Sequence, residues 1–451
     1  MIEKSNLKKE IKFQPAQVLA IAFLITIFIG TLFLLLPVST REGHISFIDA
    51  LFTATSATCV TGLIVVDTPT YFSSFGQAVI LILFQLGGLG IMTFSTLFLL
   101  ARGKKISIKD RLRVQKDFLH SPIENIKSLI RDIFLFTMGI ELIGAIILFL
   151  RWNKDFPSGK AIYYSLFHSV SAFCNAGFSL FTTSLTQYQE DWTVNLVMLP
   201  LIILGGIGFL VLKEGKDYFF NFKNRKKIRI SLHTKLVLAM TSGLIILGGV
   251  IFWVLENQSS IKSLSWKGKI FTTFFQVITP RTAGFNTLDL SLLSSATILF
   301  LIVLMFIGAS PGSTGGGVKT STIGVLIAFL KSRIIGRESV NLFYRTLPLE
   351  TIIRAFSVIS LAFVVIFLST FALFLTESSA SFQTIMFEVF SAFGTVGLSL
   401  GLTPQLTTTG KIIIILTMYI GRIGPLTLLF ALGREKAKGK FEYLEERVMI
   451  G

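Results

Sequence analysis

Four short stretches of this chain, each ending in a glycine, carry the residues whose types and spacing could do chemistry. The final glycines are Gly62, Gly177, Gly284 and Gly397, and they lie 115, 107 and 113 residues apart. Regular spacing of this length predicts four copies of one structural unit. Because glycine tolerates a positive φ, the backbone at these points can turn several carbonyl groups toward one position. A ring of carbonyls can replace the water shell of a cation, so the expected chemistry is coordination of a dehydrated cation.

The predicted ion-binding residues are those that end at each of the four glycines. They are Thr58, Cys59, Val60, Thr61 and Gly62; Cys174, Asn175, Ala176 and Gly177; Arg281, Thr282, Ala283 and Gly284; and Gly394, Thr395, Val396 and Gly397. These stretches contain no acidic side chain, so the expected ligands are neutral carbonyl dipoles. Such dipoles most readily offset the hydration energy of K⁺. We therefore expect K⁺ at the four glycines, as the transported ion.

Alignment of the four stretches on their glycines, without gaps, extends the repeat upstream. The residues ten positions before the glycines are Phe52, Phe167, Phe274 and Phe387. The residues six positions before them are Ser56, Ser171, Ile278 and Ser391. Nine positions before, two repeats carry titratable residues, His168 and Glu388. We expect these two side chains to brace short helices rather than to bind ions.

The composition places the four stretches in a membrane protein. Of 451 residues, 52% are hydrophobic, and runs of about 20 apolar residues predict spanning helices. Long first spans are predicted at about 17–37, 130–150, 236–255 and 353–375. Short segments that cannot cross follow at about 46–58, 161–173, 268–279 and 382–393, and second spans at about 78–101, 192–212, 296–329 and 411–432.

These segments predict an all-α polytopic membrane fold. It has four helix–pore loop–helix repeats, with eight spans and four re-entrant loops around a central cation pore. Irregular backbone at membrane depth is stable only where protein or water surrounds it. The repeats divide the chain at 1–110, 111–230, 231–345 and 346–451.

The net charge of +17 is distributed as expected for a membrane protein. Basic residues cluster at 102–131, 213–235 and 331–354, in the N-terminal tail and from position 434 onward, whereas the intervening loops are nearly neutral. This positive-inside pattern predicts a plasma-membrane protein with both termini in the cytoplasm. It also explains the positive charge without nucleic acid, which we do not expect as a partner.

The third repeat contains a glycine-rich insert at 308–319 that interrupts its second span. Its residues are Gly308, Ala309, Ser310, Pro311, Gly312, Ser313, Thr314, Gly315, Gly316, Gly317, Val318 and Lys319. In a nucleotide-binding loop a lysine would follow Gly317, but Val318 stands there, and the insert follows a span rather than a strand. We therefore exclude ATP binding at this insert. Because Pro and clustered Gly cannot continue a helix, the span must break here, where the insert could act as a gate.

Glycine clusters recur in the other second spans, at 87–90, 205–208 and 421–424. They predict either close helix packing or a hinge or pore-lining role. In the last cluster Arg422 occupies the place of Gly88 and Gly206. A charge at membrane depth must face water or a partner. We expect it to act in the gate as an electrostatic barrier, the alternative being an ion pair with Glu141.

Two further basic residues lie near the predicted pore. Lys319 ends the insert and is expected to face the cytoplasmic cavity, with a gating contact as the alternative. Arg281 is expected to form a supporting ion pair with Asp289. The thiols of Cys59 and Cys174 are expected to be incidental, and no Cys or His spacing indicates a metal site.

The chain resembles the ion-conducting subunits of the Ktr/Trk/HKT superfamily of potassium transporters, and KtrB-type subunits most. The resemblance rests on the four helix–pore loop–helix units, one glycine in each filter, the Gly/Ser-rich loop in the third repeat and Arg422. It implies potassium uptake, because sodium-preferring plant relatives carry Ser at the position of Gly62. It also implies a homodimer on a cytosolic ring of nucleotide-binding regulatory subunits, a KtrA-like octamer. Membrane lipid surrounds the subunit, Na⁺ is a possible activator, and no cofactor is expected on this chain.

Three other functions are weighed against this one. A sodium-permeable or K⁺/Na⁺ cotransporting member of the same superfamily would share all of these features. A carrier-type secondary transporter would also have repeats and broken helices, but it usually alternates topology or surrounds carboxylates. An enzyme would need a nucleophile or an acid–base pair, and the four His and two Cys form none.

Overall fold

The computed structural model describes residues 15–90, 126–223 and 230–432, which are predominantly helical. The helices are α1 (Pro15–Leu34), α2 (Phe47–Thr58), α3 (Thr68–Tyr71), α4 (Ser74–Leu89), α5 (Ile126–Trp152), α6 (Ser158–Cys174), α7 (Trp192–Gly206), α8 (Phe209–Lys223), α9 (Leu232–Glu256), α10 (Trp266–Ile278), α11 (Ser295–Phe306), α12 (Thr320–Ile334), α13 (Leu349–Thr376), α14 (Phe382–Gly394), α15 (Thr408–Ile423) and α16 (Pro425–Leu432). Short 3₁₀ turns lie at Pro37–Ser39, Thr186–Tyr188, Leu290–Leu292 and Thr403–Gln405. Strands β1 (Asn341–Leu342) and β2 (Arg345–Thr346) pair in an antiparallel hairpin between α12 and α13.

One order of elements occurs four times along the chain. A long helix (α1, α5, α9 or α13) is followed by a shorter helix (α2, α6, α10 or α14), a tight turn and a further helix. Each long helix packs against the shorter one that follows it. The order of long and short helices is the one predicted, with bounds that differ by a few residues.

The long helices have the length and composition of membrane spans. Ala16–Leu34, Ile130–Trp152, Leu232–Glu256 and Leu349–Thr376 each contain an apolar window long enough to cross a bilayer. Their outward faces carry large apolar side chains, such as Leu247 and Phe367, which are 66% and 69% exposed. Apolar surfaces of this extent are typical of contact with lipid. The chain is therefore a multi-pass membrane protein.

The second helices of the repeats are interrupted more often than predicted. Only the third repeat was expected to break, but α7 and α8 meet at an angle of 104°, and Gly424 separates α15 from α16. The predicted second spans at 192–212 and 411–432 are therefore each interrupted at their glycine cluster. The break residues Gly208 and Gly424 have φ of 95° and 89°, a conformation that glycine adopts without steric cost. Gly90 ends α4 with φ 79°, and the rest of that predicted span, to residue 101, lies outside the described residues.

Within single repeats, polar side chains join the end of the first helix to the start of the second helix. At the end of α9, Glu256 accepts a hydrogen bond of 3.0 Å from the N–H of Ser294, the N-cap of α11. After α13, Glu377 accepts one of 3.1 Å from the N–H of Thr407, the N-cap of α15. In both cases a carboxylate lies at the positive end of a helix dipole, where it is stabilising. These bonds fix the end of the first helix to the start of the second helix in the third and fourth repeats.

An ion pair connects the first repeat to the last. Lys411 Nζ, in the first turn of α15, lies 2.6 Å from Asp49 Oδ1 in the first turn of α2. The two side chains are only 16% and 20% exposed. Since the two residues are 362 positions apart, this contact joins the first repeat directly to the last.

Replacing Asp49 by Asn should lower the free energy of unfolding by about 1–2 kcal/mol, because Lys411 is then left partly buried without its counter-charge. Thermal unfolding in detergent measures this as a lower melting temperature. Glu350→Gln, which removes the exposed pair of Glu350 with Arg354, should leave the melting temperature unchanged. Equal melting temperatures of the Asp49→Asn and Glu350→Gln variants would show that the Asp49–Lys411 pair does not stabilise the contact between the first and last repeats.

Candidate functional site

The turns that follow α2, α6, α10 and α14 meet at one place. Their final glycines all have a positive φ, with values of 90°, 72°, 76° and 92° at Gly62, Gly177, Gly284 and Gly397. A Cβ added at each of them would lie at most 3.1 Å from a carbonyl oxygen of a neighbouring repeat. In the same order, these oxygens belong to Ala176, Ala283, Val396 and Thr61. The four glycines therefore form a closed ring in which the repeats follow one another in chain order.

A second left-handed residue precedes each glycine by two positions. The residues are Val60, Asn175, Thr282 and Thr395, with φ of 58°, 58°, 78° and 50°. Asn enters this region with little cost, but β-branched residues there are outliers. Such strain is maintained only where the surroundings impose it, and it concentrates at functional sites. Sequence reasoning missed this feature, because three of the four residues have no intrinsic preference for the conformation.

Hydroxyl groups at the ends of the short helices fix the turns. Ser56 Oγ accepts a hydrogen bond of 3.1 Å from the N–H of Gly62, and Ser391 Oγ accepts one of 3.2 Å from the N–H of Gly397. In the second repeat, Ser171 Oγ donates to the carbonyl of Phe178 at 2.8 Å. These bonds replace the helix hydrogen bonds that are lost where each short helix ends.

The third repeat departs from the alignment without gaps. There, Thr279 rather than Ile278 supplies the hydroxyl, which donates to the carbonyl of Phe285. The buried phenylalanine is Phe275, with no exposed area, whereas Phe274 is 39% exposed. The alignment of Phe274 and Ile278 with the other repeats is therefore wrong by one residue, because the third turn is one residue shorter. A shift by one residue would exchange the buried and exposed faces of α10. The residues that correspond to the other repeats are therefore Phe275 and Thr279.

A cavity of about 520 Å³ lies on one side of the ring, which we name the outer side. Its lining includes all four ring glycines and, two residues further along each repeat, Ile64, Ser179, Asn286 and Ser399. The residues between, Leu63, Phe178, Phe285 and Leu398, are buried. Extended backbone alternates its side chains in this way: the residue after the glycine packs in the core and the next one lines the cavity, although Leu398 also borders the cavity.

The glycine-rich insert, residues 308–319, packs against the opposite side of the ring. The N–H of Gly316 donates to Thr395 Oγ1 at 3.1 Å, and a Cβ added at Gly315 would strike Thr282 Oγ1. Both threonines are left-handed residues of the ring turns. The glycines of the insert are therefore required by close approach to the ring, and any side chain at Gly315 or Gly316 would displace the insert.

Further contacts hold the ends of the insert. The N–H of Ser310 donates to the carbonyl of Gly206 at 3.0 Å and the N–H of Gly308 to that of Val318 at 2.9 Å. Thr314 donates through its hydroxyl to the carbonyl of Gly205 at 3.1 Å. The other predicted residues of the insert, Ala309, Pro311, Gly312, Ser313 and Gly317, lie in the same segment between α11 and α12. The insert is thus hydrogen-bonded to the break in the second repeat.

Arg422 lies at the insert. Its guanidinium donates to the carbonyl of Thr314 in the insert and to the carbonyl of Gly87 near the end of α4. Lys319 Nζ donates to the carbonyl of Gly315 at 2.7 Å. The two positively charged side chains therefore donate hydrogen bonds to carbonyl groups on the inner side of the ring, where the insert lies. The alternative of an Arg422–Glu141 ion pair is wrong, because Glu141 instead accepts from Gln85 at 3.2 Å.

The glycine clusters of the second helices touch the backs of the ring turns. A Cβ added at Gly87, Gly205 or Gly421 would strike the carbonyl oxygen four residues before a ring glycine. These carbonyls belong to Thr58, Phe173 and Phe393, respectively. The first glycine of each cluster is thus required by close packing, while Gly90, Gly208 and Gly424 serve as breaks, so the clusters combine both predicted roles.

The remaining predicted residues occupy the walls of the ring. Arg281 is buried and donates to Thr241 Oγ1 at 3.2 Å. The expected Arg281–Asp289 ion pair is wrong, since Asp289 caps the turn at Ser291. Cys59 and Cys174 are buried free thiols. Within residues 15–90, 126–223 and 230–432, no group of three His, Cys, Asp or Glu side chains could hold a metal ion.

A polytopic helical protein with carbonyl-rich turns at the centre of four repeats belongs to the class of membrane ion transporters. The chain matches the family described as TrkH, cation transport protein, over residues 3–440, and it belongs to this family. It is 45% identical to the Ktr system potassium uptake protein B of Bacillus subtilis (strain 168), with 100% of both chains covered. It is 38% identical to the potassium/sodium uptake protein NtpJ of Enterococcus hirae, again with 100% of both covered.

A solved structure has the same fold. The crystal structure of the potassium transporter TrkH from Vibrio parahaemolyticus matches 94% of this chain and 86% of its own, with a TM-score of 0.74 at 20% identity. These matches confirm the resemblance to the Ktr/Trk superfamily. Because the family consists of cation transport proteins, this chain is a transporter and not an enzyme.

Proposed function

We propose that this protein takes up potassium across the cell membrane through a pore lined by the four glycine turns. The observation that carries the proposal is the ring of Gly62, Gly177, Gly284 and Gly397, in which each glycine abuts a carbonyl of the next repeat. Carbonyls in such a ring can replace the water around K⁺. The ring has no formal charge, and the short helices point the negative ends of their dipoles toward it. The arrangement therefore attracts a cation and allows it to leave.

The proposed architecture has eight spans and four re-entrant loops, divided at 1–110, 111–230, 231–345 and 346–451. Helix α2 has 12 residues, which corresponds to a length of about 18 Å, less than the roughly 30 Å of hydrocarbon. A helix of that length enters the membrane and its chain must return on the same side. Because the loops at the other ends of the spans carry the basic residues, both termini are proposed to be cytoplasmic.

The proposed gate consists of residues 308–319 with Arg422. The insert lies directly against the ring turns and is fixed to a second element by the Arg422 guanidinium. A fixed positive charge on the side of the ring where the insert lies repels K⁺ that passes the ring on that side. Movement of the insert away from Thr282 and Thr395 would open the path. Lys319 adds a second positive charge to the same barrier.

The chain is proposed to act as a homodimer on a cytosolic ring of nucleotide-binding regulatory subunits. An exposed hairpin on the proposed cytoplasmic side supports a protein partner. Its turn residues Phe343 and Tyr344 have φ of 47° and 63°, and Tyr344 is fully exposed. Bulky residues in a turn that favours Asn-Gly store strain. Contact with a partner would give this strained, exposed hairpin a function.

Sodium is proposed as an activator, with K⁺/Na⁺ uptake as the second candidate function. The similarity to a potassium/sodium uptake protein favours this second candidate. No cofactor is proposed on this chain. A carrier mechanism is disfavoured because no carboxylate occurs among the ring residues, where coupled carriers usually place one.

Expression in a host that lacks its own potassium uptake tests the proposal. We expect growth at low external K⁺ and uptake of K⁺ that exceeds uptake of Na⁺. Purified protein in liposomes should carry a K⁺ current whose size follows the applied voltage at a fixed K⁺ concentration. Absence of K⁺ flux in both systems, with the protein present in the membrane, would overturn the proposed function.

A further inference from the structure

Two serines at the outer mouth of the ring share one unusual arrangement. Ser179 and Ser399 each follow a ring glycine by two residues and line the outer cavity. Ser179 Oγ lies 3.0 Å from His168 Nε2, and Ser399 Oγ donates to Glu388 Oε2 at 2.7 Å. Because the repeats follow chain order around the ring, the second and fourth repeats are opposite each other. The two serines therefore face each other across the mouth.

The proton of the Ser179 hydroxyl has a fixed direction. His168 Nδ1 lies 2.7 Å from the carbonyl of Tyr164, which can only accept, so Nδ1 carries the ring proton. Nε2 accepts a hydrogen bond of 3.3 Å from the N–H of Leu180, so it carries the lone pair. Because Nε2 carries no proton, the hydrogen bond of 3.0 Å uses the Ser179 proton, and the Nε2 lone pair is shared between this hydroxyl and the N–H of Leu180. The Ser179 oxygen also accepts from the N–H of Phe181 at 2.9 Å.

Ser399 has the same set of bonds with a different acceptor. Its oxygen accepts from the N–H of Gly401 at 3.1 Å, and its proton goes to the Glu388 carboxylate. The other carboxylate oxygen accepts from the hydroxyl of Thr403. His168 and Glu388 are fully buried behind the turns. Each serine oxygen thus keeps one lone pair, and no proton, available for a ligand at the mouth.

The other two repeats lack this arrangement. In the structural register, the residues that correspond to His168 and Glu388 are Thr53 and Gln276. Their cavity-facing residues are Ile64 and Asn286, neither of which is a serine. Among the described residues, the Thr53 hydroxyl and the Gln276 amide have no hydrogen-bond partner. The buried acceptor is therefore engaged only where a serine faces the mouth.

We infer that Ser179 and Ser399 form an outer binding site for a monovalent cation, in which their oxygens replace water on K⁺ before it enters the ring. His168 and Glu388 are positioning residues, which keep the hydroxyl protons away from the ion. Without the acceptor, the hydroxyl is free to rotate, so turning its proton away from the cation would cost part of the binding free energy. This inference rests on the proposed function and adds a first, side-chain ligand pair to a path otherwise lined by backbone carbonyls.

The test is the dependence of K⁺ flux on external K⁺ in liposomes or in a host that lacks potassium uptake. The double variant Ser179→Ala/Ser399→Ala should raise the half-saturating K⁺ concentration by about fivefold or more, with the maximal rate within about twofold of wild type. Ser399→Thr keeps the hydroxyl, so its half-saturating K⁺ concentration should stay near that of wild type. A role only in packing would lower the amount or the maximal rate and leave the half-saturating concentration unchanged.

The positioning role has its own variants. Glu388→Gln keeps an oxygen that accepts the Ser399 proton, so its half-saturating concentration should stay near that of wild type. Glu388→Ala removes the acceptor and should raise this concentration as Ser399→Ala does. Thr53→Val, at the equivalent position of the first repeat, is the matched control and should change nothing. Equal values for Glu388→Gln and Glu388→Ala would overturn the positioning role.

Two further outcomes separate the inference from the proposed function. Wild-type flux with an unchanged half-saturating concentration in the double variant overturns the inference alone. Absence of wild-type K⁺ flux overturns the proposed function and the inference with it. If the double variant does not reach the membrane, Ser399→Cys keeps the size of the side chain but replaces oxygen with sulfur, a poor ligand for K⁺. An unchanged value in Ser399→Cys would then overturn the inference.

Discussion

Replacing Gly62 by Ser is expected to lower the ratio of K⁺ flux to Na⁺ flux by about tenfold or more, because the ring cannot hold its geometry with a side chain at this position. Gly62 has φ 90°, and an added Cβ would lie 2.5 Å from the Ala176 oxygen and 2.9 Å from the Gly177 Cα. Both contacts are backbone, so no side chain can rotate away. The first and second turns must separate, and their carbonyls then no longer fit K⁺.

Paired K⁺ and Na⁺ flux measurements on the same preparation give this ratio directly. Gly43→Ser is the matched control, since Gly43 also has a positive φ, of 76°, but nothing lies within 4 Å of its added Cβ. It should keep the wild-type ratio. A Gly62→Ser protein with unchanged flux and unchanged ratio would show that Gly62 does not line the ion path.

Replacing Arg422 by Ala is expected to raise the maximal K⁺ flux by about fivefold to tenfold. A unit charge about 10 Å from the ion opposes it by roughly 1–2 kcal/mol at an effective dielectric constant near 20. The substitution also removes the two hydrogen bonds that join the insert to α4. Both effects act in the same direction, because the barrier falls and the insert becomes easier to move.

Arg422→Lys separates the two effects. Lysine keeps the charge but cannot span the carbonyls of Thr314 and Gly87 as the planar guanidinium does. Its flux should lie between those of wild type and Arg422→Ala if both effects contribute. Lys331→Ala, which removes an exposed charge near the end of α12, should leave the flux unchanged. Equal flux in wild type and Arg422→Ala, at equal amounts in the membrane, would contradict the barrier role.

The sequence was sufficient for the order of elements and for the ring glycines. Apolar runs long enough to cross a bilayer have few alternatives to a helix, because backbone groups in lipid must bond within their own segment. The four glycines could be found because a positive φ at a crowded turn excludes other residues. The interruption of the third repeat was predictable for the same reason, since Pro311 and its neighbouring glycines cannot extend a helix.

The sequence was not sufficient where neighbouring repeats impose the geometry. Val60, Thr282 and Thr395 adopt left-handed conformations that their side chains disfavour, and nothing local predicts this. The one-residue shift in the third repeat was hidden because Phe274 and Phe275 are adjacent and identical in type. The expected pairing of Arg281 with Asp289 failed because proximity along the chain does not determine which elements pack together.

The sequence by itself determined that this is a four-repeat membrane protein with a glycine in each repeat poised to expose carbonyl groups. Only the tertiary structure decided how those glycines meet, what lies beneath them and what stands behind the serines at the mouth. The physical reason is the range of the interactions. Apolar length and glycine conformation are properties of a segment, whereas the contacts of Arg422 with Thr314 and Gly87 join residues 108 and 335 positions apart. Such contacts exist only after the repeats have closed into a ring.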